Sequence, residues 1–107
     1  MNPFGAWASD TITNHKRRGF IVNISIFDLK QIAKETKICK YCSGELKYGY
    51  GSKGKTVSLS PSLDRTDNEK ELNIKNTQII CYNCNATKRS RTHDEFISYC
   101  KNIASKF

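Results

Sequence analysis

Two C-x-x-C pairs, a β-branched stretch running into the second pair, and three segments punctuated like helices predict a small α+β domain held together by a bound metal ion. A chain of 107 residues makes one domain, taken here as residues 1–107, with a helical extension over 1–38, a core over 39–97 and a closing helix over 92–107. At this size folding buries only roughly 60 to 65% of the extended surface. With 37% hydrophobic residues the core then outweighs chain entropy by only a few kcal/mol, so a staple is needed. No apolar run approaches the ~18 residues of a membrane span, and Met1 to Ser9 lack the basic start and apolar stretch of a signal peptide. A soluble, cytoplasmic protein with no membrane partner is expected. Five cysteines, an odd number, with no export signal favour reduced thiols and hence a metal site.

In chain order, Pro3 to Arg18 can form a helix that starts on Pro3 and ends at Gly19, where a left-handed cap is cheapest. Its last turn holds His15, Lys16, Arg17 and Arg18, cations that complement the helix dipole and can equally clamp a phosphate. Phe20 to Ile24 reads as a short strand, and Ser25 with Asp28 as the start of a helix running to about Thr36 on the stripe Leu29, Ile32, Ala33. Tyr48 to Pro61, rich in Gly, Ser and Lys, predicts a loop or ragged hairpin. Asn73 to Cys81 predicts a turn leading into a buried strand. Thr92 and Glu95 form a capping box for a last helix whose stripe of Phe96, Tyr99, Cys100, Ile103 and Phe107 should close the domain.

Lys and Arg number 18 against 10 Asp and Glu, a formal charge of +8, and the excess is spread along the chain rather than gathered in a tail. Such a surplus over a small domain favours a polyanionic partner, because each neutralised phosphate releases counterions. A generally soluble basic surface is the plainer alternative.

Cys39-Lys-Tyr-Cys42 and Cys81-Tyr-Asn-Cys84 are separated by 38 residues. Two intervening residues let both sulfurs of a pair converge from a tight turn, and four thiolates complete a tetrahedral zinc shell with no open position, so this site is expected to be structural. Two local disulfides or a redox pair are the rivals, and neither explains two matched pairs. In a chain with a thin core, zinc affinity becomes folding free energy, on the order of 10 kcal/mol. Cys100, on the apolar stripe of the last helix, reads as a small core residue.

Between and after the pairs stand an Asp-Arg pair (Asp64, Arg65), Asn76, and Asn85 directly after the second pair, followed by Lys88, Arg89 and Arg91. Oxygen ligands beside a rigid knuckle suit a hard ion such as Mg²⁺, and a phosphodiester held between metal and guanidinium is the arrangement that stabilises a phosphoryl transition state. Turn and cap roles for Asp64, Asn76 and Asn85 remain open on spacing alone.

From residue 39 to about 97 the chain resembles the HNH endonuclease family. The resemblance is carried by Leu63-Asp64-Arg65, Asn76, Cys81-x-x-Cys84-Asn85 and Lys88. It implies a ββα-metal fold (strand, loop, strand, helix) and metal-dependent hydrolysis of DNA, expected to be double-stranded, in a bacterial or phage-infected cell. It further implies Asp64 and Asn85 as ligands of a catalytic Mg²⁺ or Mn²⁺, Asn76 as the residue orienting the first strand's catalytic group across the loop, and Cys39, Cys42, Cys81 and Cys84 as the zinc ligands that often flank this site.

Most members carry His after the Asp, as general base; here Arg65 stands there and cannot accept a proton. The chain looks like a phage-type and restriction-type subgroup with the pattern LDR-x-D-N, in which Arg65 would stabilise the phosphate. His15 is then a candidate base by analogy with an upstream His in some members; a surface residue on a basic helix end is the alternative. His93 reads as an exposed helix-start residue. Tyr48 and Tyr50 read as loop aromatics rather than nucleophiles, Asp67 as part of a solvated turn, and Phe4 and Trp7 as core or interface anchors. Lys16, Arg17, Arg18, Lys53, Lys55, Lys88, Arg89 and Arg91 are the expected nucleic-acid contacts. A catalytically silent zinc module that only binds nucleic acid is the competing function, and an RNA-binding or protein-interaction zinc ribbon a third. Both a monomer and a C₂ homodimer are compatible with one active site per chain.

Overall fold

The structure, a computed structural model, describes residues 2–49 and 56–107. Tyr50, Lys53 and Lys55 lie outside the described residues. Helix α1 spans Pro3–Arg17; Asn2 caps it by accepting from Gly5 N, and it stops ahead of Gly19, whose φ of +87° is the left-handed conformation expected there. A two-residue strand β1 (Val22–Asn23) leads to α2 (Ile26–Glu35), which begins where Ser25 Oγ accepts from Asp28 N at 3.0 Å. Strand β2 covers Pro61–Arg65, β3 covers Leu72–Asn73, and one turn of 3₁₀ helix (Ile74–Asn76) feeds β4, Thr77–Cys81. Helix α3 (Tyr82–Lys88) follows β4 without a loop. Helix α4 (His93–Ala104) starts at the capping box of Thr92 and Glu95.

β2 and β4 form an antiparallel pair that sets Pro61 opposite Cys81 and Asp64 opposite Gln78, and β1 and β3 pair in parallel. β2, β4 and α3 therefore make a strand, loop, strand, helix unit, with α1 and α2 packed on each other beside it. Ala8 and Ile12 of α1, Leu29 and Ala33 of α2, and Leu63, Leu72, Ile79 and Ile80 beneath them form the core. Each fully buried Leu or Ile stabilises by roughly 1.5 to 3 kcal/mol, so a core this thin leaves a small margin over chain entropy. Phe4 and Trp7 pack on this core, and Trp7 Nε1 donates to Pro61 O at 3.1 Å. Among the described residues no helix is long and apolar enough to cross a membrane.

Two expectations shift. The strand from Phe20 to Ile24 shrinks to Val22–Asn23, because Phe20 turns away to serve another surface described below. The stripe on α4 does not close the domain: only Phe96 is buried, edge-on to Tyr41 with ring centroids 5.1 Å apart, while Tyr99, Cys100, Ile103 and Phe107 are exposed. Cys100 is thus a surface thiol and not a core residue.

Candidate active site and the four-cysteine cluster

The sulfurs of Cys39, Cys42, Cys81 and Cys84 all lie within 4.8 Å of one another. Cys39 and Cys42 sit on a tight turn in which Ser43 N donates to Cys39 O, Cys39 N donates to Gly44 O, and Ser43 takes φ +62°. Cys81 ends β4 and caps α3, its sulfur accepting from Cys84 N at 3.3 Å, so the second pair is built by the strand-to-helix junction itself. Sulfurs bound tetrahedrally at 2.3 Å stand about 3.8 Å apart. The Cys42 and Cys81 sulfurs are 3.7 Å apart, so the cluster is positioned to hold a metal ion and its size is compatible with structural zinc. Burial pushes Cys81 and Cys84 upward; the neighbouring thiols add to this at Cys84, while at Cys81 the Cys84 amide and thiol oppose it and Cys42 and Cys39 support it. Burial also raises Cys39, but the backbone amides of Cys81, Cys42 and Tyr41 outweigh it and bring that thiol to about 7. Four thiolates therefore need a cation among them, and its arrival would release protons.

A second site is a cleft of about 680 Å³ built on β2. One wall is α1 and its C-cap, through Trp7, Asp10, Thr11, Asn14, His15 and Arg18; the floor is β2, through Ser62, Asp64 and Arg65; the far wall is α3 and its end, through Tyr82, Asn85 and Arg89. The segment read as an N-terminal extension thus supplies a whole wall.

Phe20 organises the basic side of this cleft. The Arg65 guanidinium lies 4.3 Å from its ring centroid, that of Arg18 5.0 Å, and the His15 ring 5.6 Å. Arg65 Nη1 also donates to the carbonyls of Asn68 at 2.8 Å and Lys70 at 3.2 Å, which fixes the guanidinium in place. His15 Nδ1 is 2.8 Å from Thr11 O. A carbonyl only accepts, so Nδ1 carries the proton and the lone pair of the neutral ring is on Nε2. Burial lowers the His15 pKa from 6.5, helped by Arg18 and Arg65 and opposed by the Thr11 carbonyl, so the ring is neutral at pH 7. Arg89 enters the cleft from a strained backbone, φ 55° and ψ −129°, in a region that favours glycine.

Asp64 is 4% exposed. Its Oδ2 accepts from Gln78 Nε2 at 2.7 Å, across the strand pair, and lies 3.0 Å from the Lys88 ammonium. Asn85 donates its Nδ2 to Ser62 Oγ, which leaves Oδ1 free to act as a ligand. Asp64 and Asn85 line the same cleft, and a carboxylate with an amide oxygen fits a hard divalent cation. Among the described residues the four cysteines are the only group of three or more His, Cys, Asp or Glu placed to hold a metal, so such a cation would need donors from water or substrate.

Several expected site residues lie elsewhere. Asn76 is buried outside the cleft; its Oδ1 accepts from Thr66 Oγ1 and Asp67 N, and its Nδ2 donates to the carbonyls of Asp67 and Glu71, which staples the 66–71 loop that follows Arg65. Lys88, expected at the nucleic-acid surface, is fully buried on Asp64 and cannot reach a phosphate backbone. Arg91 is held on α4 by the Tyr99 ring at 4.2 Å and by Thr87 O, and Lys16 and Arg17 are exposed away from the cleft. His93 stacks on Tyr41 and meets its hydroxyl at 3.0 Å. Tyr48 donates to Thr36 O, packs on Phe4 and Trp7, and has its phenol pushed up by burial, which removes it as a nucleophile. Phe20 and Gln78 were not foreseen. Lys88 facing inward was foreseeable, since it stands four residues after Cys84 and three after Asn85, on one face of α3.

Comparison with known protein families, with curated proteins and with solved structures returned no match to this chain.

Proposed function

We propose that this protein is a small zinc-stabilised endonuclease of the HNH type that hydrolyses DNA phosphodiesters with a divalent cation. The observation that carries the proposal is the meeting of His15, Asp64, Arg65 and Asn85 in one cleft, on a strand, loop, strand, helix unit whose β4–α3 junction carries half of a four-cysteine cluster. Arg65, Arg18 and Arg89 would take the phosphate by charge and fixed donors. His15 Nε2 would accept the proton of the attacking water as its oxygen bonds to phosphorus. One P–O ester bond then breaks, and the leaving oxygen takes a proton from solvent. Asp64 and Asn85 would hold Mg²⁺ or Mn²⁺, which when bound neutralises charge on the phosphoryl oxygens. Asn76 acts at a distance, by fixing the loop on which Arg65 rests.

The charge of Lys88 on Asp64 favours the competing reading of a silent nucleic-acid-binding module, because it offsets the carboxylate a cation needs. Plasmid DNA incubated with the protein and Mg²⁺ or Mn²⁺ separates the two. Nicking or linearisation that stops with EDTA, and that Asp64→Asn and Asn85→Ala reduce by ~10² or more, is expected. Intact plasmid under every condition, with retained DNA binding, would leave only the binding module.

A further inference from the structure

Lys88 is fully buried and its ammonium sits 3.0 Å from Asp64 Oδ2, with no hydrogen-bond acceptor besides that carboxylate among the described residues. A buried ammonium with unmet donors is costly, and replacing such a pair by apolar groups is often neutral or stabilising, so stability alone gives no reason to keep it. Its effect on the cleft is specific. A divalent cation arriving alone would meet one carboxylate whose charge is already matched, an amide oxygen from Asn85, and the guanidiniums of Arg18, Arg65 and Arg89. Among the described residues Asp10 is the one other acid on the walls. Like charges gathered in one partly dehydrated cleft repel, and repel more strongly than in water because the local dielectric is lower. A phosphodiester reverses this balance, bringing a negative charge and oxygen donors to the same place.

We propose that Lys88 is a built-in counter-charge that keeps the cleft from taking up a divalent cation until a phosphodiester has docked, so that cation and substrate bind as a pair, each strengthening the other. This rests on the nuclease reading and adds to it an order of assembly. Lys88 touches neither substrate nor cation and acts through Asp64. By linkage the strengthening is reciprocal.

Mn²⁺ binding followed by electron paramagnetic resonance tests this without any turnover. The probes are Mn²⁺ alone and Mn²⁺ with dimethyl phosphate, a simple phosphodiester. The wild-type protein should bind Mn²⁺ on the order of tenfold more tightly when dimethyl phosphate is present. Lys88→Gln, which keeps a donor for Asp64 but removes the charge, and Lys88→Met should bind Mn²⁺ alone on the order of tenfold more tightly than wild type and lose most of the dependence on dimethyl phosphate. Variants with native circular dichroism and zinc content that bind Mn²⁺ no more tightly than wild type would overturn the proposal. Should the variants not fold, equal wild-type affinity with and without dimethyl phosphate overturns it. Asp64→Asn separates the two levels. If it abolishes Mn²⁺ binding while the Lys88 variants change nothing, the counter-charge idea alone fails; if it leaves Mn²⁺ binding untouched, the cation is not in this cleft and the nuclease reading fails with it.

Discussion

The four-cysteine cluster and the cleft both draw on the β2–β4–α3 unit, yet they are assembled in opposite ways. The cluster joins two local turns, each carrying its two sulfurs at fixed spacing, and only the meeting of the turns depends on the fold. The cleft draws its residues from α1, β2, α3 and the loop around Phe20, segments far apart in sequence that only the fold brings together. Charge follows the same division. The cluster gathers four thiols that would carry negative charge only with a cation among them, whereas the cleft sets Arg18, Arg65 and Arg89 on its walls and matches its buried carboxylate with Lys88. The cluster is positioned to hold a cation, whereas the cleft presents guanidiniums that an anion would satisfy.

Breaking the cluster should therefore have the largest effect. Cys81→Ser, or chelation of the wild-type protein, removes a cross-link between the 39–42 turn and the junction of β4 with α3 on which the whole β2–β4–α3 unit stands. Loss of most secondary structure is expected, a cost on the order of 10 kcal/mol against a thin core. Circular dichroism with metal analysis checks it. Native spectra with well under one zinc per chain would show that the cluster is not the staple.

The same contrast explains which parts were legible in the sequence. Caps and local thiol pairs report short-range geometry, so the starts of α1, α2 and α4 and the sulfur cluster could be read directly. Asp64, Asn85 and His15 could be singled out by chemistry and resemblance, but not their placement on one surface, which depends on how α1 packs on α2 and β2 on β4. Gln78 gained its role from strand register alone, as the residue opposite Asp64. Phe20 looked like an apolar strand residue because no local signal says that its ring will carry two guanidiniums. The helical stripe of α4 gave the helix correctly but not a partner: Phe96 found Tyr41, and the residues beyond it found solvent.

Within the cleft, His15 gives the next largest effect and leaves the cluster intact. His15→Ala should lower the cleavage rate by ~10² with unchanged zinc content. Because burial, with Arg18 and Arg65, sets its pKa below 6.5, the acid limb of the wild-type kcat/KM profile should fall below that value and vanish in the variant. Stability has the same sign: between the lowered folded value and 6.5 the unfolded chain binds this proton and the folded one does not, so His15 subtracts stability as pH falls through that window. An acid limb above 6.5, or one retained in His15→Ala, would assign the base elsewhere.

The smallest effect sharpens the comparison most, because it should move stability and function in opposite directions. Arg89 ends α3 at φ 55° and ψ −129°, where a side chain costs about 1 to 3 kcal/mol and glycine almost nothing. No other contact explains an arginine there among the described hydrogen bonds and ion pairs; its backbone N–H donates to Asn85 O, which glycine would preserve, and its side chain lines the cleft. Arg89→Gly should therefore raise stability by about 1 kcal/mol after the entropy cost of glycine, a rise of roughly 5 °C in Tm. It should also weaken DNA binding evenly across sequences and reduce the salt slope by about 1, as loss of one phosphate contact does. A variant that is more stable and binds DNA with an unchanged salt slope would remove Arg89 from the interface. One that is less stable would mean the arginine side chain holds the end of α3 by itself, and the cleft would lose one of its three guanidiniums as a functional group.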